Sequence, residues 1–191
     1  EGVSAGLGRS ECDATRLAER SLPVLSSPEE VAAAMGLSIA QLRFLAYSRR
    51  VSAVSHYVRF AVPKKAGGVR VISAPMPRLK AAQEWVLRNV LARAEAHDAA
   101  HGFRAGRSIV TNAASHAGAE VVVNLDLENF FPSISYRRVK GVFRALGYSE
   151  AAATVFALLA TAFDVEEVAL DGRRWFVATS ERRLPQGAPT S

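Results

Sequence analysis

The chain has 191 residues, 49% hydrophobic and 22% charged, with a formal net charge of +6 at pH 7 and a pI near 10.0. That length supports a real core, and the composition is that of a folded chain rather than a disordered one. A single cysteine, Cys12, excludes an intrachain disulfide or a cysteine-based zinc site, and the pattern is that of a free thiol in a reducing cytoplasm. No apolar run approaches the roughly 20 residues of a membrane span, and no signal peptide is visible.

The positive excess is carried mainly by arginine, whose planar fork suits phosphate, although a basic surface alone says little. The sequence opens on Glu-Gly rather than Met and stops at Pro189-Thr190-Ser191, so both ends read as cut.

Residues 1–26 predict a loose start. Ser27-Pro28-Glu29-Glu30 predicts a helix, with Ser27 as cap, Pro28 in the first turn, Glu30 closing a capping box and Gly36 as the stop. Ser38 and Gln41 repeat the box and open a second helix through Leu42, Leu45 and Ala46. Residues 57–63 and 69–74 alternate like two strands around the turn Lys64-Lys65-Ala66-Gly67-Gly68, a β-hairpin with a basic, glycine-rich tip. Arg70 lies on the opposite face from Val69 and Val71. Two lysines and an arginine thus converge where a flexible tip can fold over a triphosphate, the plain alternative being a solvated turn.

Residues 79–96 predict a long amphipathic helix, with Trp85, Val86, Val90 and Leu91 near one face. Residues 97–106 form a loop whose Arg104, together with Arg107 just beyond it, points to phosphate. Residues 108–118 form a short helix carrying Asn112 and His116 on one face.

The run at 120–134, EVVVNLDLENFFPSI, predicts a buried strand that delivers Asp126 at its end and stops at Pro132. An ionised carboxylate there needs a partner, and a metal ion is one; a turn-capping aspartate is the other reading. Residues 136–146 predict a helix stopped by Gly147. Ser149 caps another over 150–163, and 165–179 predicts a hairpin turning at Asp171-Gly172. Leu184-Pro185-Gln186-Gly187-Ala188-Pro189-Thr190-Ser191 is a shaped loop. Asp164, Glu166 and Glu167 read as a solvated acidic turn.

Four motifs stand in order: Y-x-R-F-x-V-P-K-K-x-G-G-x-R-x-I from Tyr57, H-G-F-R-x-G-R-S-I from His101, N-L-D-L-x-N-F-F-P-S-I from Asn124, and L-P-Q-G-A-P-T-S from Leu184. Together they resemble bacterial reverse transcriptases, and Asn112-Ala113-Ala114-Ser115-His116 resembles the N-A-x-x-H element of the retron type.

The resemblance implies an α+β right-hand polymerase. A largely helical N-terminal extension would span 1–56, fingers 57–119, and the first part of a palm, with inserted finger elements, 120–191. It implies that Asp126 is the first metal-binding carboxylate and that Leu127 lends its backbone carbonyl. Lys64 or Lys65 with Arg70 would hold the triphosphate. Phe131 would stack under the sugar and reject a 2′-hydroxyl, and Gln186 and Gly187 would line the nucleotide pocket. Arg104, Arg107, Asn112 and His116 would contact nucleic acid. The implied cofactor is Mg²⁺, two ions with Mn²⁺ as a substitute. The implied partners are dNTPs, a structured noncoding RNA serving as template-primer, its RNA-linked DNA product and, in anti-phage defence, an effector protein.

The family's aromatic-x-Asp-Asp hairpin and Val-Thr-Gly thumb element do not occur in these 191 residues. The chain is therefore expected to be inactive alone, with one of three catalytic carboxylates. A non-catalytic RNA-binding module is the alternative. A palm-fold nucleotide cyclase lacks its Gly-Gly-acidic-acidic hairpin here.

Overall fold

The computed structural model describes residues 11–64 and 67–191. Its first elements are short helices, α1 (Ala14–Glu19), α2 (Pro28–Ala34) and α3 (Ile39–Ala46). Each begins at a side-chain cap: Asp13 accepts from the Arg16 N–H, Ser27 from Glu30, and Ser38 from Gln41 in a full capping box. α1, within the stretch expected to be loose, is held by more than its cap. The Asp13 N–H donates to the Gly147 carbonyl at 2.8 Å, and Leu17 is fully buried.

The molecule is built around α8 (Glu150–Ala160). Every residue from Ala151 to Ala160 is buried, so this helix is apolar on all sides and must be wrapped. α2, α3, α4 (Pro77–Asn89) and α7 (Tyr136–Leu146) wrap it. Phe156 packs against Phe143 and Tyr148 at 5.1 and 5.0 Å between ring centroids. Buried Gln83 on α4 donates to the Tyr57 hydroxyl at 3.0 Å and to the Leu159 carbonyl at 2.8 Å, tying three elements together.

Two antiparallel sheets complete a mixed fold consistent with the α+β class. β2 (Tyr57–Pro63) pairs with β3 (Val69–Pro75), from Tyr57 opposite Pro75 to Pro63 opposite Val69. β4 (Val165–Leu170) pairs with β5 (Arg173–Ala178) around Asp171 and Gly172, both at positive φ as a type I′ turn requires. β1 (Val51–Ser52), which the sequence did not announce, adds to β5. No described helix is long and apolar enough to cross a membrane.

Several sequence expectations are corrected. The strand expected to deliver Asp126 at its end does not form: residues 121–127 lie in no ladder. Val121, Val123 and Leu125 are 77%, 73% and 90% exposed. A strand is stabilised by a partner, and no described strand runs beside this one. Pro132 does not end a ladder either. It sits in the one-turn helix α6 (Phe130–Ser133), where a missing first-turn N–H is harmless. The helix expected over 79–96 ends at Asn89, whose side chain donates to the Trp85 carbonyl at 2.9 Å, and a 3-10 turn follows over Leu91–Arg93. The short helix at 108–118 is α5 (Ile109–Ala114), and α8 stops at Ala160 rather than 163. Glu166 and Glu167 stand on β4, not in a turn.

Candidate active site

A cleft of about 860 Å³ opens between the β2–β3 hairpin, the 126–133 segment and the 183–186 loop. It is lined by Lys64 and Arg70 from the hairpin, by Asp126, Leu127 and Phe131, and by Gln186. The tertiary structure thus gathers residues far apart in sequence.

Each wall is placed by identifiable forces. The 183–186 loop is held on one side by the Leu184 N–H donating to the Ile134 carbonyl at 2.9 Å, and on the other by Arg183 and Ala162 exchanging two backbone hydrogen bonds of 2.9 Å. The hairpin docks on this loop through the Ser73 N–H, which donates to the Gln186 carbonyl at 2.8 Å. Gly187 permits that approach. Its φ is +102°, and a Cβ there would lie 2.7 Å from Ile72 Cγ2.

Between Asp126 and Phe131 the chain reverses at Asn129, in the left-handed region at φ 51°. Phe131 then turns inward, half-buried against the core and edge-on to Phe130 at 5.6 Å. Asp126 remains exposed at the cleft surface.

Other expected residues lie elsewhere. Arg104 and Arg107 both reach Asp98, at 3.6 and 3.3 Å, and Arg104 also donates to the His97 carbonyl. Asn112 and His116 sit on α5 and the turn after it, exposed and outside the cleft lining. Lys65 falls outside the described residues.

Two cleft residues, Arg59 and Arg183, were not singled out from the sequence, and a third, Asp164, was assigned elsewhere. Arg59 on β2 donates to the Phe163 carbonyl at 2.9 Å, and burial holds its guanidinium below its ordinary pKa. Asp164, expected on a solvated turn, forms an ion pair with Arg183 at the cleft wall. The signal for Arg59 was its alternation with Tyr57 along β2, which places it on the face whose Tyr57 is buried. Nothing local announced the Asp164–Arg183 pair.

Among the described residues no group of three His, Cys, Asp or Glu side chains could hold a metal ion. Asp126 supplies one carboxylate. The residues present therefore do not by themselves make the two-ion site that the resemblance implies.

The reverse transcriptase (RNA-dependent DNA polymerase) family matches residues 62–191. The chain is 51% identical over 170 residues to the retron Mx162 reverse transcriptase of Myxococcus xanthus, covering 89% of this chain and 35% of that protein. It is 45% identical over 179 residues to the retron Mx65 reverse transcriptase of the same organism, covering 94% and 42%. It is 34% identical over 176 residues to the retron Ec86 reverse transcriptase of Escherichia coli, covering 92% and 49%. The chain spans less than half the length of each of these relatives. The family match runs through every wall of the cleft, from the hairpin tip to the Gln186 loop, and on that footing the chain belongs to the reverse transcriptase family, with retron reverse transcriptases as the relatives it resembles.

Proposed function

We propose that this chain carries the nucleotide-binding half of an RNA-directed DNA polymerase of the retron type. In this reading it works in the cytoplasm, copies a structured noncoding partner RNA into RNA-linked DNA, and serves anti-phage defence beside an effector protein. The observation that carries the reading is the cleft in which Lys64, Arg70, Asp126, Phe131 and Gln186 meet. The β2–β3 hairpin acts as fingers and the 120–191 segment as the first part of the palm.

Lys64 acts as a point charge and Arg70 as a fork on the phosphates of an incoming dNTP, lowering the repulsion that develops as the phosphorus is attacked. Phe131 forms the floor under the sugar. A 2′-hydroxyl would need space that the ring occupies, so selection for deoxynucleotides works by exclusion. Gln186 and Gly187 fix the position of the base pair through the loop docked on β3. Asp126, with the Leu127 carbonyl, would contribute ligands to Mg²⁺, which when bound activates the primer hydroxyl and neutralises the departing pyrophosphate. With one such carboxylate among the described residues, the 191-residue chain alone is expected to give no primer extension. In the same reading the exposed Asn112 and His116, and Arg104 and Arg107 once released from Asp98, contact nucleic acid outside the cleft.

The test uses the complete enzyme with its RNA. Asp126→Asn should abolish DNA synthesis while RNA binding, followed by filter retention, stays within about twofold of the parent. Synthesis that survives in Asp126→Asn would overturn the assignment. Abolished RNA binding would point instead to a structural role for this segment.

A further inference from the structure

A second cavity, of about 40 Å³, shares Arg59 and Val165 with the cleft and is lined by residues from the 48–56 segment, β2, the end of α8 and β5. Three arginines line it, Arg49, Arg59 and Arg182, and no aspartate or glutamate does. Among the described residues none of the three forms an ion pair, whereas the neighbouring Arg50 and Arg183 pair with Glu181 and Asp164. Positive charge drawn out of water without a counter-charge is unfavourable. The fold has placed one buried guanidinium, Arg182, and one half-buried, Arg59, beside the exposed Arg49 around one space.

Local groups neutralise part of it. Arg182 is 6% exposed. Its Nη2 donates to the Leu158 and Thr161 carbonyls at 2.6 Å each, Nε to Thr161 Oγ1 at 3.3 Å, and Nη1 to Ser48 Oγ at 3.1 Å. These acceptors lie at the C-terminal ends of α3 and α8, where helix dipoles are negative. Phe163 adds its ring face at 5.0 Å.

A guanidinium has five N–H groups, so one on Arg182 Nη1 is left over. Arg59 uses two, toward Ser55 Oγ at 3.4 Å and the Phe163 carbonyl, leaving three. Arg49 is exposed and makes no side-chain hydrogen bond to another described residue. Burial holds Arg182 at a pKa of about 10 and keeps Arg59 below its ordinary value. An anion in the cavity would relieve that penalty.

A space of 40 Å³ has room for roughly three water-sized volumes, comparable to one tetrahedral oxyanion. We propose that this cavity, which shares Arg59 with the dNTP cleft, binds a phosphate group through Arg49, Arg59 and the free Arg182 N–H. The phosphate can come from a nucleic-acid backbone or from a free phosphate or nucleotide. Because Arg59 lines both cavities, this site would also fix the position of one wall of the cleft.

The experiment follows thermal unfolding of the full protein in a Lys64→Gln/Arg70→Gln background, which removes the phosphate contacts of the cleft. Inorganic phosphate is compared with chloride at equal ionic strength. The expected result is a phosphate-specific rise in Tm whose apparent Kd weakens about tenfold on adding Arg49→Gln, the loss of one charge-assisted contact. Line broadening of inorganic phosphate in ³¹P spectra reads the same site independently, without the Arg49 variant.

The source is decided by the salt dependence of RNA binding. If the ligand is a backbone phosphate, Arg49→Gln lowers the slope of log K against log salt by about 0.7 to 0.9. If the slope is unchanged while the phosphate effect is lost, the ligand is free phosphate. A Tm that responds no more to phosphate than to chloride, or a phosphate effect untouched by Arg49→Gln, overturns the proposal. No arm reads catalysis, so the outcome is separate from that of the polymerase assignment.

Discussion

Replacing Gly187 with alanine tests how the cleft is closed. At φ +102° an alanine is strained by about 1 to 2 kcal/mol. Its Cβ would also stand 2.7 Å from Ile72 Cγ2, well inside contact distance, so β3 must move or Ile72 must leave its rotamer, at roughly 1 to 3 kcal/mol. Gly187→Ala is therefore expected to lower unfolding stability by about 2 to 5 kcal/mol.

A double-mutant cycle separates the two contributions. Ile72→Ala removes the clashing methyl, so in that background Gly187→Ala should lose the backbone strain alone, and the coupling should be about 1 to 3 kcal/mol. Urea unfolding of the four proteins measures it. A loss below about 0.5 kcal/mol for Gly187→Ala, or the same loss in both backgrounds, would refute close packing as the reason for a glycine at this position.

Three further outcomes are expected. Phe156→Ala opens a void at the centre of the α8 cluster between Phe143 and Tyr148 and should remove about 3 to 5 kcal/mol of stability by urea denaturation. His56 has its pKa lowered by burial, with the Arg182 charge adding to this and a hydrogen bond to the Phe44 carbonyl opposing it. With a folded pKa below the unfolded value near 6.5, the unfolded state binds the proton more readily, so stability is greatest above pH 6.5 and falls as the pH drops below it. His56→Asn should flatten that part of the Tm profile relative to the parent, and an unchanged profile would show that other groups govern it. In the complete enzyme, Phe131→Ala should raise ribonucleotide incorporation relative to deoxynucleotide incorporation by about tenfold or more in single-turnover assays. An unchanged ratio would remove Phe131 from the sugar floor.

The parts of this protein that were legible in the sequence are those fixed within a few residues. Ser27, Ser38 and Ser149 each accept from an N–H three residues on, so the starts of α2, α3 and α8 follow from local hydrogen-bond chemistry. Asp171-Gly172 sets its turn by backbone sterics alone. The cleft residues Lys64, Arg70, Asp126, Phe131 and Gln186 were recognised through ordered motifs, although no local rule could show that they meet.

Tertiary structure decided the rest, because burial and pairing belong to partners distant in sequence. The same Val121-Val122-Val123 run that reads as a buried strand stands exposed, since β-propensity expresses packing against neighbours that no described strand provides here. Arg182 reads as one more surface cation, yet it is buried because Leu158, Thr161 and Ala46 converge on it from two helices. Asp164 meets Arg183, and Gln83 meets Leu159, across gaps of 19 and 76 residues. Local chemistry set the elements and their ends, whereas the wrapping of an all-apolar α8 determined which charged groups were left facing the cleft and which, like Arg182, were buried.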